Sequence, residues 1–382
     1  MMIDKRTVGL YVHIPFCIKK CAYCDFYSQS DYRISDRYLD ALLKEAENYS
    51  CKYPDLTVDT LYIGGGTPSS LSAMQLDRLF ASLKRYFTYA DDIEITVEVN
   101  PATLTEEGIA VLQKHGVTRV SMGLQSASDS ELSTLSRIHT FGDFVHTFQL
   151  VKGRVDQISL DLMFGLPSQT VESLKNTLEK AVSLSPDHIS LYALKIEEGT
   201  PFAKMGERLS LPDEDTVADM YLTACDVLES AGFHQYEISN FAKQGCFSQH
   251  NYRYWKRGEY IGLGPGAHSF FDGKRYGILR DIYRYMDAIE KGETPPLSEL
   301  GVTSRYDAFT EEIMLGLRLN EGVSLRNLFL EYGYPMEKPL LSKLERFVET
   351  GYAVWKGDRF ALTPKGFLVS NGIIGEIIPN GG

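Results

Sequence analysis

Between residue 8 and about residue 200, apolar strand-like runs alternate with segments of helical period. That alternation is the pattern of βα units wound around a parallel sheet, because each helix covers a face that the strands would otherwise expose. The strands read as 8–14, 58–63, 93–99, 119–124, 157–164 and 188–194. Helical stretches follow most of them, at 36–49, 72–86, 105–115 and 170–184, with Ser72 and Thr105 as N-caps. Six such units are too few to close an eight-stranded barrel, so the expectation is an α/β fold built as a partial, open (β/α)6 barrel.

Polar and glycine residues fall at the ends of successive strands: a cysteine loop after the first, Gly64-Gly65-Gly66-Thr67-Pro68 after the second, then Glu98, Gln125 and Asp161. Parallel barrels build their sites at the C-terminal strand ends, so these positions should converge in space.

The cysteine loop carries the sharpest chemistry. Cys17, Cys21 and Cys24 stand as Cys-x3-Cys-x2-Cys. Three thiolates on one short loop can hold three irons of a [4Fe–4S] cube. The sequence has no fourth cysteine nearby, so one iron would stay open to an outside ligand. A structural zinc site wants four closed ligands and would have to recruit His13 or Asp25. A dithiol pair would use Cys21 and Cys24 and leave Cys17 unexplained. The N-terminus does not resemble a signal peptide, which argues against disulfides and for a reducing cytoplasm. Cys51, Cys225 and Cys246 are scattered and read as ordinary buried thiols.

Glycines at 64–66 let the backbone approach a ligand closely or simply make a tight turn. Beside an open iron they read as a cradle for the amino end of a small molecule. Glu98 and Asp161 could receive ribose hydroxyls or an ammonium; Gln125 and Arg137 could complete a pocket around a carboxylate.

Beyond Pro201 the pattern loosens. A helix at 213–230 precedes a strand at 236–241 and a Gly- and aromatic-rich stretch to residue 277, and Thr294-Pro295-Pro296 marks a linker. Helical runs at 307–318, 324–331 and 339–350 lead to a hairpin, 353–356 with 359–362, around Gly357-Asp358. This order suggests a winged-helix-like α+β domain. The chain divides into 1–240, the barrel; 241–300, a connecting segment; and 301–382, the tail domain. From Thr303 onward nine Lys/Arg face ten Asp/Glu, whereas a DNA-reading wing is normally basic. The whole chain carries a formal charge of −12, which argues against nucleic acid as a partner and against a radical enzyme acting on tRNA.

Taken together, Tyr11-Val12-His13-Ile14-Pro15-Phe16-Cys17, the Gly-Gly-Gly-Thr-Pro turn, Val97-Glu98-Val99-Asn100-Pro101, Ser121-Met122-Gly123-Leu124-Gln125-Ser126 and Asp161-Leu162-Met163-Phe164-Gly165-Leu166-Pro167 resemble the radical S-adenosylmethionine (SAM) enzymes. More narrowly they are similar to the oxygen-independent coproporphyrinogen III oxidase family. The resemblance implies a radical SAM barrel in which SAM chelates the open iron through its amino and carboxylate groups and is cleaved by one electron to a 5′-deoxyadenosyl radical. It implies SAM contacts from Tyr11, Gly65, Gly66, Thr67, Glu98, Gln125, Arg137 and Asp161, with Tyr23 packing beside the cluster.

Two departures matter. The decarboxylating oxidases extend the motif to a fourth cysteine, where this chain has Phe26, and they carry a longer N-terminal segment before the first strand. Both match the family's HemW-type heme chaperone branch, as does His250-Asn251-Tyr252-Arg253-Tyr254-Trp255. An imidazole can be an axial ligand to heme iron, so His250 is the expected heme contact, with Cys246 and His268 as weaker candidates. His115, His139 and His146 read as surface or helix residues. The expectation is a cytoplasmic heme chaperone on a radical SAM fold, without coproporphyrinogen III oxidase activity. The branch implies heme and apo-hemoproteins as partners, respiratory membrane enzymes among them, and allows a homodimer. The alternative is the oxidase itself, which converts two propionates of coproporphyrinogen III to vinyl groups.

Overall fold

The computed structural model describes residues 6–379. The alternating runs form six parallel strands: β1 (Thr7–Ile14), β2 (Thr57–Gly65), β3 (Thr88–Val99), β4 (Arg119–Gln125), β5 (Gln157–Phe164) and β6 (His188–Ala193). Between them lie α1 (Ser35–Lys52), α2 (Ala73–Tyr86), α3 (Glu106–Lys114), α4 (Asp129–Thr134), α5 (Phe141–Val151) and α6 (Val171–Ser183). Ser72 caps α2 in a reciprocal box with Gln75, and the Thr105 hydroxyl accepts the Gly108 amide at the start of α3. β1 shows how strand parity divides the layers. Val8, Leu10, Val12 and Ile14 have no exposed surface and pack in the main core. The alternate residues Gly9, Tyr11 and His13 therefore line the other face of the sheet, inside the barrel.

The sheet does not close. β9 (Tyr260–Leu263) pairs in parallel with β1, and β10 (His268–Phe271), β11 (Lys274–Ile278) and β12 (Leu297–Val302) extend that edge as an antiparallel meander. On the opposite edge β8 (Asn240–Ala242) and then β7 (His234–Gln235) pair antiparallel beyond β6. The result is one twelve-stranded open sheet, of which the segment after residue 241 supplies a third of the strands. α7 (Pro201–Met205) lies beside the cysteine loop, α8 (Glu214–Ser230) packs on α6, and α10 (Ile282–Glu290) packs on α1. The short α9 (Gln249–Trp255) holds the His250–Trp255 motif.

The tail is helical with a small hairpin: α11 (Arg305–Gly316), α12 (Leu325–Tyr332), α13 (Lys338–Glu349), then β13 (Ala353–Lys356) and β14 (Arg359–Leu362), closed by α14 (Pro364–Leu368) and α15 (Ser370–Ile377). Among the described residues no helix is long and apolar enough to cross a membrane.

Candidate functional site

A polar cavity of about 150 Å³ opens at the C-terminal ends of β1 to β5. Cys17, Cys21, Tyr23, Cys24, Gly65, Gly66, Thr67, Glu98, Gln125, Arg137 and Asp161 all line it, so residues spread over nearly 150 positions meet in one place.

The cysteine loop is held by its backbone rather than by regular structure. The Cys17 amide donates to Gln29 O (3.0 Å) and the Gln29 amide to Pro15 O (2.8 Å). Ala22 donates to Leu135 O (3.1 Å) and accepts from the Phe202 amide (3.0 Å). Beneath the loop a separate apolar cluster of Ala22, Leu135, Met163, Leu166, Phe202 and Leu209 packs against Tyr23. All three thiols are free and partly exposed. Thr67 Oγ1 lies 3.4 Å from Cys17 Sγ, and Arg137 Nη1 donates to Cys21 Sγ at 3.5 Å. Burial raises the Cys24 thiol to about 11, so it is protonated until a metal displaces the proton. Among the described residues no three His, Cys, Asp or Glu side chains close around a single ion.

The glycine turn has a more specific reason than flexibility. Gly65 has φ +112°, and a Cβ there would lie 2.5 Å from the His13 ring. A Cβ at Gly66 would lie 2.7 Å from Phe16 O. The turn is pressed against the end of β1, directly before the first cysteine. The Gly65 amide donates to Glu98 Oε2 (2.9 Å), and Tyr62 donates to Glu98 Oε1 (2.8 Å). Gln125, buried at the end of β4, holds φ +67° beside a register shift between Gly123 and Gln125. Such left-handed backbone costs about 1–3 kcal/mol in a non-glycine residue and tends to mark functional positions. Arg137 is anchored by Nη2 to Gly123 O (2.9 Å), while its buried Nε has no partner. An unpartnered guanidinium N–H in a cavity suits an anionic ligand group.

Asp161 accepts from Ser121 Oγ at 3.2 Å. Burial, with the charge of Glu98 beside it, raises its carboxyl to about 7, and burial raises Glu98 too. An unfolded aspartate ionises near 3.9. The fold therefore binds this proton more tightly, and the contribution is full below about pH 4 and lost as pH rises to about 7. Asp161→Asn should remove that loss, stabilising the cluster-free protein at pH 8 by up to about 4 kcal/mol, less where the cavity admits water. Urea unfolding at several pH values measures it; an unaltered pH profile would contradict the burial argument.

Two of the expected contacts lie away from the other site residues. Tyr11 does not line the cluster cavity: its hydroxyl shares a 3.0 Å hydrogen bond with His13 Nδ1, and its ring lines a neighbouring cleft. His250 has no exposed surface; Nδ1 pairs with Thr60 Oγ1 (2.9 Å), Nε2 with Tyr254 Oη (2.7 Å), and the ring stacks on Tyr62 at 5.2 Å. Both ring nitrogens are engaged, and burial lowers the imidazole to about 3. Cys51 is exposed and Cys246 partly so, while Cys225 is buried. His139 is buried without partners for either nitrogen.

The interior below the mouth was not anticipated. Arg119, 1% exposed, donates to Glu94, Ser159 Oγ (2.8 Å), Gln157 and the carbonyls of Cys246 and Phe247 (2.9 Å each). Glu94 in turn accepts the Gln249 and His250 amides at 3.0 Å, fixing the start of α9. A void of about 20 Å³, room for one water, runs from Ser248 and Asn251 to Asp161. Ser121 and Gly123 could have been found by counting back in twos from Gln125; Tyr62 and Arg119 carry no local signal.

The open barrel with three thiols at its mouth defines the radical SAM class. A family model described as Radical SAM superfamily matches residues 11–181, and one described as HemN C-terminal domain matches 303–369. Coproporphyrinogen III oxidase (HemN) from Escherichia coli superposes with a TM-score of 0.85 over 98% of this chain and 90% of that one, at 22% identity, a likeness of fold alone. Heme chaperone HemW of Bacillus subtilis is 37% identical over 377 residues, covering 96% of this chain and 98% of that protein. Heme chaperone HemW of Escherichia coli is 35% identical, covering 98% of each, and that of Mycobacterium tuberculosis 33%, covering 98% and 95%. The chain belongs to the HemW family within the radical SAM superfamily. Membership implies a [4Fe–4S] cluster and SAM.

Proposed function

We propose that this protein is a heme chaperone that retains a SAM-ligated [4Fe–4S] cluster and passes heme to apo-hemoproteins, respiratory membrane enzymes among them. The reading is supported chiefly by the end-to-end relatedness to proteins named heme chaperone. Phe26 adds to it: the side chain is 65% exposed at the lip of the cluster cavity, where the decarboxylating relatives carry a cysteine.

In this proposal Cys17, Cys21 and Cys24 hold the cluster, and bound SAM would supply the amino and carboxylate ligands of its open iron. Gly66 and Thr67 would flank the amino end, Arg137 and Gln125 the carboxylate, and Glu98 and Asp161 the ribose, with Tyr23 beside the cluster. Glu98 would have to exchange its bond with the Gly65 amide for that contact. Tyr11 acts at one remove, through His13 at the back of the glycine turn. The chain is proposed to divide into 1–240, 241–300 and 301–382, the middle segment completing the barrel's sheet.

The test is anaerobic reconstitution followed by two assays on one sample. Heme should bind and transfer to an apo-hemoprotein, and coproporphyrinogen III should not turn over with SAM and reductant. Sustained turnover without heme binding would replace this proposal with the oxidase.

A further inference from the structure

Beside the cluster cavity lies a second opening, a cleft of about 280 Å³. Phe26 is the wall between the two and lines both. The cleft is aromatic: Tyr254 and Tyr260 stand edge to face with centroids 4.4 Å apart, and Tyr11 lies behind them. Two basic side chains stand at its rim, His268 and Arg280.

Each has a carboxylate beside it. His268 Nδ1 lies 2.8 Å from Glu299 Oε1, and the side chain is 53% exposed. A carboxylate on one ring nitrogen fixes the tautomer and orientation of a metal-binding histidine and strengthens the other nitrogen as a donor. Here the other is Nε2, on a half-exposed side chain that lines the cleft. The imidazole rests against Gly277, where a Cβ would come within 3.0 Å of it. Arg280 reaches the cleft past Gly266, whose φ is +85° and whose Cβ would stand 3.1 Å from Tyr27. It pairs with Asp25 at 3.2 Å, both side chains about half exposed. An ion pair so exposed is worth about 0–1 kcal/mol and is readily exchanged for another carboxylate. The cleft's other imidazole, His13, is not available: it is 4% exposed, with Nδ1 on Tyr11 and Nε2 on Tyr27 O.

From this arrangement we propose that the cleft is the heme seat, with His268 Nε2 as the iron ligand, Arg280 as the partner of a propionate, and Phe26 and Tyr254 as the apolar walls. The inference rests on the heme-chaperone reading and deepens it. It also gives the His250–Trp255 motif a part that the buried imidazole cannot play directly. His250 holds the hydroxyl of Tyr254 and so sets one wall of the cleft. A shallow, open seat suits a cargo that must leave again.

The experiment is a hemin titration of the purified full-length protein followed by its absorption spectrum, for wild type, His268→Ala, His268→Gly and Arg280→Ala. His268→Ala should weaken binding by about tenfold or more and shift the Soret band. Free imidazole added to His268→Gly should restore the wild-type spectrum, a readout that a merely misfolded variant would not give. Arg280→Ala should weaken binding with no shift of the band. If wild type binds heme and His268→Ala matches it in affinity and spectrum, or imidazole fails to restore His268→Gly, this seat is wrong while the chaperone reading stands. If wild type takes up no heme, the chaperone reading itself falls.

Discussion

Anaerobic reconstitution of Cys17→Ala, Cys21→Ala or Cys24→Ala should yield protein that has lost most of its bound iron and sulfide, whereas Cys51→Ala should load like wild type. The expectation follows from where the sulfurs stand. Cys17, Cys21 and Cys24 face one cavity, and removing any one leaves a corner iron of the cube without its thiolate. Cys51 is exposed on α1, outside that cavity. Loading should also slow as pH falls. Burial holds the Cys24 thiol near 11, so its proton must be displaced by metal, and acid opposes that step. Iron and sulfide analysis with the visible absorption of the loaded protein measures both effects. Equal iron loss from Cys51→Ala would show that the ligand set is misassigned.

Arg119→Ala should destabilise the protein by about 3–5 kcal/mol, the cost typical of stripping one partner from a buried charge network. The substitution leaves the Glu94 carboxylate, whose side chain is 11% exposed, without its cation. It also leaves the carbonyls of Cys246 and Phe247 without a donor. Because Glu94 and those carbonyls fix the approach to α9, His250 and Tyr254 should lose order together. Urea unfolding gives the stability change, and amide exchange across residues 247–255 reports the local loosening. A stability change below about 1 kcal/mol would mean the guanidinium is spectator rather than clamp.

The barrel is legible in the sequence because a strand buried on both faces reads as an apolar run, and six such runs separated by capped helices leave few alternatives. The tail hairpin is legible because Gly357-Asp358 sits between two short apolar runs, and Gly357 does adopt φ +65°. The segment after residue 241 is not. α9 contains Asn, Arg and three aromatic residues in seven positions and has little helical preference of its own. Its helicity comes from outside, from the Ser248 cap and from Glu94, whose carboxylate lies 155 positions away from Gln249. β12 escapes for a different reason: all six residues are exposed, so no alternation marks it. At the site, thiols, glycines and strand-end carboxylates declare themselves by type and position. Tyr62 and Arg119 resemble ordinary strand residues until Glu98 and Glu94 are placed beside them. The His250 motif marks an important residue but not its direction, because burial and hydrogen-bond partners are properties of the folded chain.

The parallel pairing of β1 with β9 has a consequence for biogenesis. Leu10 and Ile261 are ladder neighbours, so β1, once synthesised, keeps one edge bare until some 250 further residues have followed. Distant pairings of this kind are slow to form, and an uncovered strand edge invites association with other chains. Iron–sulfur loading of the loop just after β1 should therefore come late, on a nearly finished polypeptide, and fragments ending before Tyr260 should aggregate instead of maturing.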